Sequence, residues 1–272
     1  MSEISILLVG HTDRSEFCRA RTALEARGPL VCVPDMESAV AALQSGQITP
    51  DVIVAAQSYP AEFSHEAIDR LRRAAPLGQV LGLMGSWCEG EARTGRPWPA
   101  AIRVYWHQWL PRCDQELGRL GRGQCSAWGL PMTASDEERL LLAADQQPTR
   151  LEGLIAIHSR SCEMGDWLSA ALRSRGCSTV WLRPPRPARV AGAMAAVFDG
   201  SDCRGRELDE LKHLCGALAP APVITLLDFP RIEEHDRALH AGAAAVLSKP
   251  LQLDDLDWQL DRVLAADSDR PS

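Results

Sequence analysis

Asp199 and Lys249 are the two residues of this sequence best placed to do chemistry together. Each follows a short apolar run typical of a buried strand, AAVFDG (195–200) for the aspartate and AAVLSKP (244–250) for the lysine. A carboxylate and an ammonium group at adjacent strand ends can form an ion pair. The residues around Asp199 therefore decide whether this pair is only structural.

Short apolar runs alternate with helical patterns along both halves of the chain. The strand-like runs are ISILLVG, LVCVP, DVIVAAQ, GQVLGLMG and IRVYWHQ in the first half, and GLIAIHS, STVWLRP, AAVFDG, PVITLLD and AAVLSKP in the second. This alternation predicts an α/β fold whose parallel sheets are covered on both faces. We expect two flavodoxin-like, doubly wound domains, each with a parallel five-stranded sheet of order 2-1-3-4-5.

A segment punctuated by Gly-Leu-Pro and Gln-Gln-Pro separates the two halves. We predict a first domain over residues 1–124, a linker with one helix over 125–150, a second domain over 151–267 and a tail over 268–272. Ser135 precedes Glu138 by three residues and is a candidate capping box for the linker helix. In the first domain we expect an irregular loop to replace the fourth helix, because CEGEARTGRPWP has two glycines, two prolines and no apolar helical period.

The segment PVITLLDFPRIEEHDRALHAGAAAVLSKPLQLDDL (222–256) resembles the receiver domain of two-component response regulators, and ALHAGAAAVLSKP is the most specific part of it. The first half resembles the same family less strongly, through ILLVG and PDVIVAA. The resemblance implies a phospho-acceptor aspartate at the end of strand three and a lysine after strand five that contacts the phosphoryl group. It also implies two acidic residues after strand one that hold Mg²⁺, and a Thr or Ser after strand four that contacts the phosphoryl oxygens. Phosphoryl transfer to a carboxylate brings negative charges together, so a divalent cation and the lysine must offset them, and Mg²⁺ prefers carboxylate oxygens as ligands. A cis peptide between the lysine and the following proline is a further implication.

Two of these four functional elements are present in the second half. Asp199 and Lys249 match the acceptor and the lysine, whereas His158 and Ser159 replace the acidic pair and Leu227 replaces the Thr or Ser. We therefore predict that Lys249 forms a residual ion pair with Asp199. A working phospho-acceptor at Asp199 is the alternative, and Mg²⁺ is expected only in that case; otherwise no cofactor is predicted.

The first half departs further from the family pattern. Gly10 and His11 occupy the acidic positions, Ala56 stands at the acceptor position, and the fifth strand ends in YWHQW without a Lys-Pro pair. No phosphorylation chemistry is predicted for this half.

The loop that replaces the fourth helix is rich in residues that dominate binding hot spots. We predict that Trp87, Arg93, Arg96 and Trp98 form a recognition surface at the carboxyl end of the sheet, for a protein partner or an anionic ligand. The alternative is that the tryptophans cover a sheet face left bare by the missing helix.

The last helix combines an apolar stripe with a tryptophan on nearly the opposite side. Leu256, Leu260, Val263 and Leu264 share one face, which should pack on the sheet. We predict that Trp258 lies in an interface, either between the two halves or between two subunits. The alternative is an indole that lies on its own helix and neighbouring side chains.

Composition narrows the classes of function. A net charge of −7 argues against nucleic-acid binding, and no apolar run is long enough for a membrane span. The nine cysteines contain no C-x-x-C pair, which favours free thiols in a reducing cytoplasm. A hydrolase elbow, a P-loop and a dinucleotide-binding turn are absent, so no enzyme activity is predicted.

The sequence favours a phosphorylation-independent signalling or regulatory module that binds a protein partner, such as a signalling component, through two degenerate receiver domains. A residual phospho-acceptor response regulator that uses Asp199 and Lys249 is one alternative. A structural dimer subunit is the other.

Overall fold

The structure, a computed structural model, describes residues 3–89, 91, 95, 96, 98, 102–130, 134, 135, 137, 138, 150–184 and 190–268, with side chains up to residue 265. The chain divides into two compact units, Met1–Gln146 and Gln147–Ser272. The division falls inside the segment 125–150, which the sequence marks as a linker.

The first unit is a parallel five-stranded sheet with helices between its strands. Its elements are β1 (Ile6–Val9), α1 (Ser15–Glu25), β2 (Leu30–Val33), α2 (Met36–Gln44), β3 (Val52–Gln57), α3 (His65–Ala74), β4 (Gln79–Met84), β5 (Ile102–Tyr105) and α4 (Trp109–Gly121). The strand order is β2-β1-β3-β4-β5, and the paired strands run parallel.

The second unit repeats this plan. Its elements are β6 (Leu154–His158), α5 (Cys162–Ser174), β7 (Ser178–Leu182), β8 (Ala193–Asp199), α6 (Gly205–Leu218), β9 (Val223–Asp228), α7 (Ile232–His240), β10 (Ala245–Lys249) and α8 (Leu253–Ser268). The strand order is β7-β6-β8-β9-β10, again in parallel. The predicted order 2-1-3-4-5 is therefore confirmed in both units.

The central strands explain why the sequence folds this way. Every residue of β1 and β3 is buried, as expected for parallel strands that are covered by helices on both faces. In each unit the carboxyl ends of the strands meet at one edge of the sheet, and we refer to it as the carboxyl edge. Among the described residues, no helix is both long enough and apolar enough to cross a membrane.

The first unit extends beyond the predicted boundary at residue 124. Trp128 is buried, and its ring centroid lies 5.5 Å from that of Trp109 in α4. Ser126 Oγ donates a hydrogen bond of 2.5 Å to Glu116 Oε2. The beginning of the predicted linker therefore packs as part of the first unit, because its tryptophan and serine complete the environment of α4.

The predicted capping box in the linker is present. The Ser135 N–H donates to Glu138 Oε2 at 2.8 Å, and the Glu138 N–H donates to Ser135 Oγ at 3.2 Å. These reciprocal bonds satisfy two backbone donors that a helix start otherwise leaves unpaired.

Helix α8 packs with the face that the sequence predicts. Leu256, Leu260 and Val263 are buried in the apolar cluster beneath the sheet. Trp258 is half-buried, and the guanidinium carbon of Arg262 lies 5.3 Å from its ring centroid. A contact along the same helix is what the alternative interpretation expects, and the interface role of Trp258 stays a prediction.

A buried arginine joins the end of α5 to α8. Arg175 is 2% exposed, and its Nη1 donates to the carbonyl oxygen of Asp257 at 3.1 Å and lies 3.3 Å from Asp257 Oδ1. Its Nη2 lies 2.9 Å from Asp261 Oδ1. Burial raises the pKa of Asp257 to about 6, because the loss of hydration outweighs the attraction of Arg175.

Asp257→Asn is expected to change how stability depends on pH. The folded-state pKa of about 6 lies above the ordinary 3.8, so between these values the folded protein holds a proton that the unfolded chain has released. The stabilising contribution of Asp257 is thus full below the unfolded pKa and is lost as pH rises through the folded pKa. The loss is on the order of 2–3 kcal/mol.

Because asparagine does not titrate, the free energy of unfolding of the variant minus that of the wild type should rise between about pH 4 and about pH 7. Urea unfolding at the two pH values measures this difference, with Asp254→Asn at an exposed position of the same helix as the control. A difference that stays constant with pH would contradict the prediction.

Candidate functional site

Asp199 and Lys249 meet at the carboxyl edge of the second unit. Lys249 Nζ lies 2.7 Å from Asp199 Oδ1 and 3.1 Å from Asp228 Oδ1. Burial by itself lowers the pKa of Lys249, but the hydrogen bonds and charges of Asp199 and Asp228 raise it above the ordinary value. The Lys249–Pro250 peptide is cis, as the resemblance implies.

The sequence-based placement of this ion pair needs one correction. Strands β8 and β10 are not adjacent, because β9 lies between them. The Lys249 side chain reaches past the end of β9, where Asp228 joins the pair. Asp228 is therefore an ion-pair partner of Lys249, although its side chain is 52% exposed.

The residues at the carboxyl end of β6 do not provide a magnesium site. His158 is buried with its ring stacked on Phe198 at a centroid distance of 4.9 Å, and burial lowers the pKa of this histidine. Ser159 Oγ donates to Asp199 Oδ2 at 2.7 Å. Mg²⁺ requires several hard oxygen ligands, and at these positions the chain offers a stacked imidazole and a hydroxyl. The site residues therefore do not fit the cation that the resemblance implies.

An internal carboxylate occupies the backbone donors that follow Asp199. Glu207 accepts hydrogen bonds from the N–H groups of Ser201 at 2.6 Å, Asp202 at 3.0 Å and Cys203 at 2.8 Å. Consecutive N–H groups in such a loop form a concavity that suits an anion. Here the anion is a side chain of the same unit, from the first turn of α6.

The other backbone donors around Asp199 also have partners. The Gly200 N–H donates to the Leu226 carbonyl at 2.9 Å, and the Asp228 N–H donates to the Ser201 carbonyl at 2.8 Å. A phosphoryl group on Asp199 would have to displace one of these bonds, or a bond to Glu207, to obtain a backbone N–H donor from either loop.

The first unit shows the same arrangement without an acceptor aspartate. Ala56 stands at the acceptor position near the end of β3. Glu62 Oε2 accepts hydrogen bonds from the N–H groups of Ser58 at 2.5 Å and Tyr59 at 3.4 Å. In both units a glutamate from the following segment thus binds the loop donors after the third strand.

A buried glutamate organises the segment that contains the predicted recognition loop. Glu91 is buried, and it accepts hydrogen bonds from Gln57 Nε2 at 3.2 Å, from the Ala61 N–H at 3.3 Å and from Arg103 Nη2 at 2.5 Å. Arg103 is therefore an internal ion-pair partner of Glu91.

The four residues predicted to form the recognition surface have different environments. Trp98 is only 4% exposed, packs in the core against Phe63 and donates from Nε1 to the Phe63 carbonyl at 3.1 Å. Its side chain is not on a surface, which corrects that part of the prediction and matches the alternative of a covered sheet face. Arg96 has an exposed side chain, and its carbonyl lies 2.9 Å from His65 Nε2. Arg93 lies outside the described residues.

Trp87 belongs to an exposed aromatic cluster that the sequence did not predict. It is 52% exposed, and its ring centroid lies 6.4 Å from that of Tyr59, which is 48% exposed. Arg14 donates from Nη1 to Tyr59 Oη at 2.8 Å, and its guanidinium carbon lies 4.8 Å from the ring centroid. We refer to Arg14, Tyr59 and Trp87 as the aromatic patch.

Three different loops position the aromatic patch at the carboxyl edge of the first unit. Arg14 precedes α1, Tyr59 follows β3 and Trp87 lies in a 3₁₀ turn, Ser86–Cys88, after β4. Buried Glu16 holds two of these loops together, because its carboxylate accepts from the Ser86 N–H at 2.8 Å and lies 3.3 Å from Arg14 Nε. The patch is therefore an exposed surface on a fixed support.

Comparisons with known proteins found solved structures of low similarity and gave no function. No protein-family model matches the sequence, and a search of curated proteins found no match. A CheY-like response regulator protein from Mesorhizobium loti is 14% identical, with a TM-score of 0.34, over 42% of this chain and 99% of that chain. The non-phosphorylated receiver domain of HemR from Leptospira biflexa is 21% identical, with a TM-score of 0.36, over 44% of this chain and 98% of that chain. The signal receiver domain of a histidine kinase from Syntrophus aciditrophicus is 22% identical, with a TM-score of 0.35, over 44% and 96%.

The class of fold follows from the topology of the chain itself. Both sheets are parallel and five-stranded with the order 2-1-3-4-5. The protein therefore consists of two receiver-like α/β units, and the second of them has an aspartate and a lysine in contact at its carboxyl edge.

Proposed function

We propose that this protein is a phosphorylation-independent regulatory module that binds a protein partner through the first receiver-like unit. The observation that carries the proposal is the aromatic patch, an exposed tryptophan and tyrosine with an arginine over the tyrosine ring. Tryptophan, tyrosine and arginine are the residue types that contribute most to protein interfaces. They stand at the edge of the sheet where this fold binds its ligands.

The ion pairs and hydrogen bonds around Asp199 in the second unit support a function that is independent of phosphorylation. Lys249 contacts two carboxylates, and Glu207 accepts the loop N–H groups that a new anion would need. The site is thus electrostatically satisfied without a phosphoryl group. In such a module the aromatic patch is available at all times, and the availability of the partner determines when binding occurs.

The compartment we propose is the cytoplasm. All nine cysteines are free thiols, and several of them are exposed. Exposed free thiols persist in a reducing environment.

The test is capture of partners by the full chain from a lysate of the native cell. Replacing Tyr59 and Trp87 by alanine should reduce the captured partner at least about tenfold, because hot-spot side chains contribute about 2 kcal/mol or more each. Leu77→Ala is the matched control, since Leu77 is 99% exposed and lies outside the patch. Capture of the same partners by the patch variant and the wild type would refute the proposal.

A second candidate function is a residual phospho-acceptor at Asp199. The 2.7 Å contact between Lys249 Nζ and Asp199 Oδ1 favours it, because this contact would place a cation beside a phosphorylated carboxylate. Asp199→Asn distinguishes the candidates: the phosphorylation-independent module should capture its partner unchanged, whereas a phospho-dependent one should lose it.

A further inference from the structure

A pocket lined by three arginines lies beside Asp199 in the second unit. It has a volume of about 310 Å³ and is lined by Ser159, Arg160, Cys162, Arg183, Pro184 and Arg206. The arginines come from three elements: the turn between β6 and α5, the end of β7 and the first turn of α6. The lining residues that the structure describes include no acidic side chain, so the charged groups of this lining are the three arginines.

Arg160 and Arg206 form ion pairs with the same carboxylate, that of Glu210. Glu210 Oε1 lies 2.6 Å from Arg160 Nη2 and 3.0 Å from Arg206 Nε. Burial alone would raise the pKa of Glu210, but the hydrogen bonds and charges of Arg160 and then Arg206 lower it below the ordinary value. One negative charge therefore orients two positive ones, which leaves an excess of positive charge at the pocket.

The third guanidinium group rests on an immobilised aromatic ring. The guanidinium carbon of Arg183 lies 4.1 Å from the Trp181 ring centroid, and Trp181 Nε1 donates to the Ser159 carbonyl at 3.1 Å. Stacking leaves the edge of a guanidinium free to donate hydrogen bonds in its plane. All three arginines are thus positioned before any ligand arrives, which lowers the entropic cost of binding.

Three carboxylates near the pocket already have other hydrogen-bond or ion-pair partners. Glu207 accepts from three backbone N–H groups, and the carboxylate of Asp199 is bound by Lys249 and Ser159. Glu163, in the first turn of α5, accepts a hydrogen bond from Ser161 Oγ at 2.8 Å. These carboxylates therefore leave the guanidinium groups of the pocket lining available to a ligand.

We infer that this pocket binds the phosphate group of a small phosphorylated molecule. A tetrahedral dianion presents three terminal oxygens, and it can accept bonds from three guanidinium groups at once, whereas a carboxylate offers two oxygens and one charge. The volume exceeds that of a phosphate alone and is at the lower end of small-molecule pockets, which leaves room for a small body attached to the phosphate. This site is distinct from the aromatic patch and does not depend on the proposed function.

Cys162 lines the pocket and has an exposed thiol, so it can report occupancy. Inorganic phosphate and glycerol 3-phosphate should each bind the full chain in calorimetry, and acetate should not. Both phosphates should slow alkylation of Cys162 by iodoacetamide and leave alkylation of exposed Cys125 unchanged, as followed by peptide mass spectrometry. Tighter binding of glycerol 3-phosphate than of inorganic phosphate identifies a phosphorylated molecule as the ligand class, and the reverse order would identify free phosphate and overturn that assignment.

The decisive variant replaces Arg183 and Arg206 by alanine. Its affinity for both phosphates should fall at least about tenfold, because the variant lacks two of the three guanidinium groups that donate charge-assisted hydrogen bonds to the phosphate. The matched control replaces Arg173 and Lys212 by alanine, which removes the same charge from exposed positions on α5 and α6 outside the pocket. Should the double variant unfold, the single exposed substitution Arg183→Glu gives the same test. Equal affinities in the pocket and control variants, or no protection of Cys162, would overturn the inference.

Discussion

Replacing Arg175 by alanine is expected to lower the free energy of unfolding of the second unit by about 3–5 kcal/mol. The guanidinium group is 2% exposed and contacts Asp257 and Asp261, and without it Asp257 would be a buried carboxylate with no cation beside it. Removing one partner of a buried ion pair leaves the desolvation cost of the other uncompensated. The bonds from Arg175 also join the end of α5 to α8, so the loss affects the packing of two helices.

Urea unfolding measures this loss, and Arg173→Ala provides the control because Arg173 is exposed two positions earlier on the chain. Surface substitutions of this kind usually change stability by no more than about 0.5 kcal/mol. A loss of similar size in both variants would show that Arg175 acts as an ordinary surface arginine. Lowering the pH below 6 should reduce the cost of Arg175→Ala, because the carboxyl of Asp257 is then protonated.

The fold was predictable because its signals are local and repeated. Runs such as DVIVAAQ and PVITLLD have the length and continuous apolar character of strands buried on both faces, and helical patterns separate them. Parallel strands place their carboxyl ends at one edge, so the meeting of Asp199 and Lys249 could also be predicted. The predicted strand order already implies that β9 lies between their strands, but the contact of Asp228 with Lys249 required the side-chain positions.

The environment of Trp98 was not predictable from periodicity. A helical period identifies which residues of a helix are buried, but a single loop residue can be buried without any period. Gly82 in β4 provides the space: a Cβ atom there would lie 2.8 Å from the Trp98 indole. Gly82, in the middle of the run GQVLGLMG, was the sequence signal for this burial, since a glycine within a strand often marks a close approach by another group.

The roles of Glu62 and Glu207 depend on loop geometry that spacing does not determine. Each carboxylate accepts N–H groups of the loop after the third strand, and these donors converge only once the loop has folded. The aromatic patch has the same origin, because Arg14, Tyr59 and Trp87 are distant in sequence and meet through three separate loops. Sequence reasoning identified Trp87 alone, from its residue type.

Incubation of the full chain with acetyl phosphate and Mg²⁺ is expected to leave its intact mass unchanged. Phosphoryl transfer to Asp199 would add negative charge beside Asp228 and Glu207, and the positions that should hold Mg²⁺ carry His158 and Ser159. His158 is buried and stacked on Phe198, and its imidazole provides no oxygen ligand for Mg²⁺. Lys249, the cation in contact with Asp199, already contacts two carboxylates.

The measurement is intact mass spectrometry, with a receiver that retains its acidic pair as the positive control in the same incubation. A phosphate adduct on the wild type that disappears in Asp199→Asn would contradict the prediction and favour the residual phospho-acceptor. Ser159→Asp and Glu207→Gln then test the cause separately. The first adds a carboxylate beside Asp199, and the second removes the charge that occupies the loop donors. Because the cation and the loop donors offset different parts of the added charge, each single variant should remain unmodified, and an adduct is expected only when both changes are combined.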